Sequence, residues 1–131
     1  MIVLDTHVIL WDALAPERLS ELARKTIVQA NENDGLIICA ISLWEIAMLL
    51  QKGRVQVDVD SQTFINLLLQ ANKSRVLATS PQIAVLAAQF PAEINKDPAD
   101  RLIAATALAE NATLITADHN LRAAGLIPTL W

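Results

Sequence analysis

Ile2-Val3-Leu4-Asp5-Thr6 begins the chain with a short apolar run that ends in two polar residues. A run of apolar residues that includes β-branched side chains is typical of a strand buried on both faces. An acid directly after such a strand is hard to explain as solvated surface. In open parallel sheets, ligands bind outside the carboxyl ends of the strands. The stretch therefore predicts an α/β fold and makes Asp5 a candidate functional residue.

The rest of the chain repeats the alternation of short apolar strands with helices. Further strands are expected at residues 36–40, 75–79 and 113–116, with a final edge strand at 128–131. Helices are expected at residues 7–14, 20–32, 42–52, from 60 or 61, 80–90, 99–110 and 118–124. This alternation indicates an α/β domain with a mainly parallel sheet of four or five strands. No linker, repeat or low-complexity segment divides residues 1–131, so one domain is expected.

Composition excludes several classes of protein. The chain is 53% apolar and 18% charged, which argues against intrinsic disorder. No apolar run approaches the ~20 residues of a membrane span, so no membrane association is expected, and the N-terminus lacks the basic region of a secretory signal. A lone cysteine, Cys39, cannot form an internal disulfide, which fits a cytoplasmic protein. The net charge of −4 disfavours nucleic-acid binding unless the acids hold cations.

Acidic residues gather at the predicted carboxyl edge of the sheet. Asp5 and Asp118 follow strands, Glu45 lies in the first turn of a helix after a strand, and Asp97 and Asp100 begin another helix. Like charges raise one another's pKa, so such a group persists if a cation neutralises it. An all-oxygen set favours Mg²⁺ or Mn²⁺ over Zn²⁺. The implied chemistry is phosphodiester hydrolysis by a metal-activated water.

Each acid also has an ordinary structural interpretation. Asp97 before Pro98 is a good N-cap, and Asp100 then suits the helix dipole. Ser42-Leu43-Trp44-Glu45 matches a capping box, in which Glu45 would bond back to the Ser42 amide. Asp118 can cap the last helix. For Asp97 taken by itself, capping is the favoured interpretation. Taken together, the acids share one edge of the sheet, and this favours a functional site.

The resemblance to a known family rests on four motifs in chain order: Asp5-Thr6-His7, Ser42-Leu43-Trp44-Glu45, Asp97-Pro98-Ala99-Asp100-Arg101 and Thr116-Ala117-Asp118. The ordered set resembles PIN-domain ribonucleases, most closely the VapC-type toxins of bacterial toxin–antitoxin pairs, and it covers the whole chain. The resemblance implies a three-layer α/β/α fold and a Mg²⁺- or Mn²⁺-dependent endoribonuclease acting on RNA. It also implies a homodimer, and a small antitoxin whose C-terminal segment covers the active site.

The same resemblance suggests roles for individual residues. Asp5, Glu45, Asp100 and Asp118 would be the catalytic acids that hold one or two metal ions, with Asp97 as an accompanying acid. Thr6 and Thr116 match hydroxyl positions that orient carboxylates or water. Arg101 would contact the scissile phosphate or, the favoured alternative, pair with a neighbouring carboxylate. Similar sequences often carry a His within Ile94-Asn95-Lys96, and this one does not.

Other residues have weaker signals. His7 and His119 stand beside candidate acids, where a local hydrogen bond is favoured over proton transfer. Basic residues that could face RNA are Lys52, Arg54 and Lys96. Trp11 and Trp44 are expected in the core, and Cys39 is expected to be a small buried hydrophobe.

Two alternative functions remain open at this stage. A metal-dependent phosphatase or phosphotransfer domain also places an Asp after its first strand, but commonly wants a second acid where this chain has His7. A non-catalytic PIN-like binding module would keep the fold as a partner scaffold. Turnover of phosphorylated small molecules alone would favour the first alternative, and absence of Mn²⁺ binding would favour the second.

Overall fold

The computed structural model describes residues 1–131 and contains one five-stranded parallel sheet in the order β3-β2-β1-β4-β5. The strands are β1 (Ile2–Leu4), β2 (Leu36–Cys39), β3 (Ser74–Leu77), β4 (Thr113–Ile115) and β5 (Thr129–Leu130). The central strand β1 places Leu4 between Ile38 of β2 and Ile115 of β4. The predicted parallel sheet, with its edge strand at the C-terminal end, is confirmed.

Seven α-helices connect the strands: α1 (Thr6–Leu14), α2 (Glu21–Glu32), α3 (Ala40–Gln51), α4 (Ser61–Ala71), α5 (Pro81–Gln89), α6 (Pro98–Ala109) and α7 (His119–Ala124). Crossovers between parallel strands keep one hand, so the reversal of strand order after β3 moves the connecting helices to the other face. Helices α1 to α4 cover one face and α5 to α7 the other, which confirms the three-layer α/β/α fold. No helix combines the length and apolar character needed to cross a bilayer.

The alternation of side chains along β1 and β2 divides the core into two halves. Leu4 and Ile38 pack with α1 to α4, whereas Val3 and Ile37 pack with α6 and α7. Successive strand residues point to opposite faces, so a sheet covered on both faces needs apolar residues throughout its central strands. The edge strand β3 is less buried, and its Val76 is largely exposed.

Most helix starts follow the capping residues that the sequence predicts. A side-chain oxygen accepts a backbone N–H within the first turn at each of Ser20, Asp60, Ser80, Asp97 and Asp118. Gly125 ends α7 in the left-handed conformation, with φ 69°, which a residue without Cβ adopts readily. These caps fix where each helix leaves the sheet edge.

Helix α3 departs from the sequence prediction. It begins at Ala40, directly after β2, and its cap residue Cys39 provides no side-chain hydrogen bond. Ser42 is therefore a fully buried residue inside the first turn. The predicted capping box between Ser42 and Glu45 is wrong, because the strand runs straight into the helix and both side chains bond Thr6 instead.

Candidate active site

The acids lie where the strand order reverses, at the carboxyl ends of β1 and β4. The chain leaves β1 toward β2 on one face and reaches β4 from the opposite face, so a crevice opens between the two connections. A cavity of about 310 Å³ occupies this position. It is lined by Asp5, Thr6, His7, Trp11, Glu45, Asp97, Asp100, Ala117 and Asp118. All five candidate acids line this acid cavity, and no Lys or Arg does.

Asp5 is the most buried acid of the cavity, with 6% of its surface exposed. Its Oδ1 accepts the Thr6 backbone N–H at 2.8 Å, and its Oδ2 accepts the Thr116 hydroxyl at 2.7 Å. Burial raises the pKa of Asp5, and the two hydrogen bonds only partly oppose that rise. The carboxylate is thus held in one orientation at the end of β1.

Thr6 links Glu45 to the floor of the cavity. Its Oγ1 lies 2.5 Å from Glu45 Oε1 and 2.9 Å from Ser42 Oγ. A threonine hydroxyl has one hydrogen, so Thr6 donates to the acceptor-only carboxylate and Ser42 donates to Thr6. Burial raises the pKa of Glu45, and the bond from Thr6 opposes that rise.

Asp97 and Asp118 both cap a helix and line the cavity. Asp97 Oδ1 accepts the Ala99 N–H at 2.9 Å, and Asp118 Oδ1 accepts the Leu121 N–H at 2.9 Å. The Asp118 backbone N–H in turn donates to Thr116 Oγ1 at 3.0 Å. The structural interpretation is thus correct for both residues, and it is compatible with their place in the lining of the cavity.

Asp100 carries the strongest electrostatic signal of the group. Burial raises its pKa, and repulsion from Asp5, Asp97, Glu45 and Asp118 raises it further, to about 7. The repulsive contributions show that the acids at this edge are close enough to act on one another. With its pKa near 7, Asp100 itself is only partly ionised at neutral pH unless a positive charge lies beside it.

Arg101 does not pair with a neighbouring carboxylate, which is the role that the sequence analysis favours, and a contact with the scissile phosphate stays a prediction. Its guanidinium forms no ion pair and donates instead to four backbone carbonyls. The acceptors belong to the end of α5 and the following loop: Ala87 at 3.1 Å, Pro91 at 3.1 Å, Asn95 at 3.1 Å, and Phe90. The loop before α6 surrounds the Arg101 side chain, so the backbone carbonyls of this loop, rather than a carboxylate, bind the guanidinium.

The acids do not form a ready-made metal site. No group of three or more His, Cys, Asp or Glu side chains is arranged so that it could hold a metal ion. The donor chemistry still fits a hard cation, because five carboxylates line one cavity in which the only basic neighbour is His7. Mg²⁺ keeps several waters and is commonly bound by one or two carboxylates together with substrate phosphates. The residues therefore fit a cation that binds few carboxylates at a time.

The basic residues and histidines named from the sequence differ in how near they lie to the acid cavity. Lys52 and Arg54 line a smaller neighbouring cavity together with Thr6, His7 and Glu45. His119 lies in a different cavity, beside α7, and Lys96 is exposed. His7 is exposed at the rim, 6.0 Å from the Trp11 ring.

The aromatic and thiol predictions had mixed outcomes. Trp11 packs against the core as expected, and the centroid of the Trp131 ring lies 5.7 Å from its own, with the two rings tilted by 57°. Trp44 is 56% exposed, so its expected core position is wrong, because α3 turns this residue outward. Cys39 is buried, and burial raises the pKa of its thiol to about 11, as befits an inert hydrophobe.

Sequence reasoning missed Asn95. Its amide Nδ2 donates to Asp100 Oδ2 at 2.8 Å and lies 3.5 Å from Asp118 Oδ2. Its Oδ1 accepts the Asp97 N–H at 3.0 Å. The residue lies in a loop without periodicity; the resemblance drew attention to Ile94-Asn95-Lys96 only for its missing His, and gave Asn95 no role of its own.

These features define a PIN domain: the chain belongs to the PIN domain family, whose model matches residues 2–126. It is 36% identical to Ribonuclease VapC22 of Mycobacterium tuberculosis over 121 residues, covering 92% of this chain and 89% of that protein. The resemblance to VapC-type PIN domains is thereby confirmed.

Solved structures with the same fold include VapBC2 from Rickettsia felis bound to a DNA fragment from their promoter. That structure has a TM-score of 0.74 at 19% identity and covers 99% of this chain and 98% of the other. VapBC-1 from nontypeable Haemophilus influenzae has a TM-score of 0.73 at 23% identity, covering 99% and 97%. At these identities the likeness establishes the fold.

Proposed function

We propose that this chain is a metal-dependent endoribonuclease and the toxin of a toxin–antitoxin pair, working as one PIN domain. The observation that carries the proposal is the acid cavity, with five carboxylates and neither Lys nor Arg among its lining residues, at the carboxyl edge of the sheet. The similarity to a protein named Ribonuclease VapC22 supports RNA as the substrate.

Asp5, Glu45, Asp100 and Asp118 are the residues that would hold Mg²⁺ or Mn²⁺. A divalent cation bound there supplies the activation of water and the neutralisation of phosphate charge that hydrolysis requires. The raised pKa of Asp100 supports this role, because a cation is the natural relief for its repulsion with the other acids. Asp97 adds negative charge at the rim and caps α6.

Thr6 and Thr116 orient the carboxylates on which the site depends. Thr6 bonds Glu45 through its hydroxyl and Asp5 through its N–H, and Thr116 bonds the other Asp5 oxygen. Lys52 and Arg54, in the adjoining cavity, supply local positive charge for an RNA backbone. With a net charge of −4 the protein should bind RNA modestly and with strong salt dependence.

The antitoxin partner is supported by the VapBC structures that share this fold. A groove of about 510 Å³ begins at His7 and Trp11, which also line the acid cavity. Its apolar residues are Leu10, Trp11, Leu14, Ala15, Leu49 and Val55, with Arg18 and Arg54 beside them. An amphipathic antitoxin segment would fit this groove, with its acidic groups facing Arg18 and Arg54. Because the groove adjoins the acid cavity at His7 and Trp11, the same segment could extend over the cavity. A homodimer is proposed on the family resemblance.

The decisive test is cleavage of end-labelled single-stranded RNA with Mg²⁺, with Mn²⁺ and with EDTA. We expect internal cleavage only with a divalent ion, and loss of cleavage in Asp100→Asn. Asp58→Asn is the matched control, because Asp58 is exposed and outside the cavity. Equal activity of the two variants, or turnover of phosphorylated small molecules only, would contradict the proposal.

A second candidate is a non-catalytic PIN-like binding module. One observation favours it, namely that no three acids are arranged to hold a metal ion. It predicts that calorimetry with Mn²⁺ shows no binding. Specific Mn²⁺ binding that disappears in Asp100→Asn would eliminate it.

A further inference from the structure

The five acids of the cavity are joined by a continuous chain of hydrogen bonds through three uncharged side chains. Thr6 joins Glu45 to Asp5, and Thr116 joins Asp5 to Asp118. Asn95 completes the chain, because its amide group contacts Asp118, Asp100 and the backbone of Asp97. A neutral residue therefore lies between neighbouring acids, with Thr116 accepting from the backbone of Asp118 and Asn95 accepting from the backbone of Asp97.

Asn95 differs from the two threonines in the part of the fold that holds it in place. Thr6 lies two residues after the end of β1 and Thr116 lies one residue after the end of β4, so the sheet itself places them. Asn95 lies in the loop before α6, where no regular backbone pattern sets its position. Its backbone carbonyl accepts a hydrogen bond from Arg101 at 3.1 Å, and the same guanidinium holds the carbonyls of Phe90 and Pro91.

Arg101 is connected to the acid cavity indirectly, through its hydrogen bond to the backbone carbonyl of Asn95. Arg101 follows Asp100 on the first turns of α6, so one helix start carries both an acid and the side chain that anchors the loop. Five N–H donors in a planar fork allow the guanidinium to bind several carbonyls at once, which a lysine does less well. The loop is thereby held where the Asn95 amide reaches two carboxylates.

We propose that Asn95 is a positioning residue that aligns Asp100 and Asp118 for a divalent cation, and that Arg101 acts on the site through Asn95. The inference rests on the proposed function. A neutral amide can orient carboxylates without bringing a positive charge that would compete with the cation. Each carboxylate oxygen has a second lone pair, so the bond to Asn95 leaves Asp100 able to bind a metal ion.

The expected effect follows from what supporting hydrogen bonds do at metal sites. Removing a residue that orients a ligand typically costs about 10- to 100-fold in metal affinity. Asn95→Ala should therefore weaken Mn²⁺ binding by about 10-fold or more. Arg101→Met should weaken it in the same direction, and the double variant should be little weaker than either single one, because both act on one contact.

The experiment is a titration of the purified chain with Mn²⁺ in the absence of RNA, followed by the electron paramagnetic resonance signal of free Mn²⁺. Asn120→Ala is the matched control, since Asn120 is exposed and lies outside the acid cavity. Melting temperatures in EDTA establish that each variant is folded. If Arg101→Met does not fold, the Asn95→Ala result still decides the role of Asn95.

Weakened Mn²⁺ binding by folded Asn95→Ala, with Asn120→Ala like the wild type, is the expected result. Unchanged or tighter binding by Asn95→Ala would overturn the inference and leave the proposed function standing. Additive losses in the double variant would overturn the link to Arg101. Absence of Mn²⁺ binding by the wild type would overturn both the inference and the metal-dependent function.

Discussion

The two ends of α1 each carry a carboxyl group with a raised pKa, but their surroundings differ. Asp5 caps the N-terminal end and faces a cavity shared with four other acids. Asp12 lies near the C-terminal end, where burial raises its pKa and a hydrogen bond from Asn72 opposes the rise. Asn72 in turn accepts a bond from Asn31 at 2.8 Å. Near Asp12, neutral amides provide the compensation.

The difference shows that a single buried carboxylate and a group of carboxylates require different kinds of stabilisation in the ionised form. A single carboxylate can be stabilised by dipoles from neighbouring amides. At the Asp5 end, neutral donors also bond the acids, yet burial and then repulsion from the other acids still raise the pKa of Asp100 to about 7. Neutral donors leave that repulsion in place, whereas a bound cation offsets it without protonating the acids. This contrast separates a structural acid from a candidate metal ligand.

The largest expected effect is on activity. Asp5→Asn should reduce RNA cleavage by about 100-fold or more, since loss of a metal ligand removes a few kcal/mol of transition-state stabilisation. Asp12→Asn is the matched substitution on the same helix and should cleave RNA at the wild-type rate. Rates of cleavage of one labelled RNA by the two variants make the comparison. A similar loss in both would mean that the two ends of α1 do not differ in function.

Thr116→Val tests how strongly the neutral donors support the buried acid. It removes the hydroxyl that donates to Asp5 and accepts from Asp118, so unfolding should become easier by about 1.5–3 kcal/mol. Thr113→Val is the control, because Thr113 begins β4, the strand that Thr116 follows, and lies outside the acid cavity. Urea denaturation measures both. An equal effect of the two substitutions would show that Asp5 does not depend on Thr116.

The repulsion among the acids predicts how stability depends on pH. A carboxyl whose pKa is higher in the folded state binds more protons there, so stability falls as pH rises from about 4 to about 7. In EDTA the wild type should therefore melt at a lower temperature at pH 8 than at pH 5, and Mn²⁺ should flatten this dependence. Asp100→Asn should be more stable than the wild type at pH 8 by about 1–2 kcal/mol, allowing for its partial exposure.

Thermal scans of the wild type and Asp100→Asn in EDTA across this pH range test the sign directly. Greater stability of the wild type at pH 8 in EDTA would mean that the acids do not repel one another. Asp58→Asn serves again as an exposed control, since Asp58 lies outside the cavity.

The smallest effect is expected at Asp12. Asp12→Asn should change the free energy of unfolding by less than about 1 kcal/mol, because the bond with Asn72 is long, at 3.4 Å, and Asn can replace it. The change should be the same with and without Mn²⁺. A Mn²⁺-dependent difference would place this acid in the electrostatic environment of the site.

Much of the fold was predictable because its signals are local. Apolar runs at β1, β2 and β4 and caps such as Ser80 and Asp97 depend on neighbours in sequence alone. The shared edge of the acids followed from the rule that ligands bind at the carboxyl ends of parallel strands.

What sequence reasoning missed depends on contacts between distant segments. The start of α3 lies at Ala40 because β2 runs directly into it, which no capping residue signals. Asn95 and Arg101 meet through the shape of one loop, and their carbonyl and amide contacts leave no pattern in the sequence. The outward turn of Trp44 likewise depends on which face of α3 meets its neighbours.

A crystal soaked in Mn²⁺ would show whether the acids of the cavity share a divalent cation. We expect an anomalous peak within bonding distance of Asp100 and at least one of Asp5, Glu45 and Asp118, with the carboxylates drawn toward it. A fully soaked crystal with no anomalous peak between these side chains would mean that the acids do not hold a shared cation.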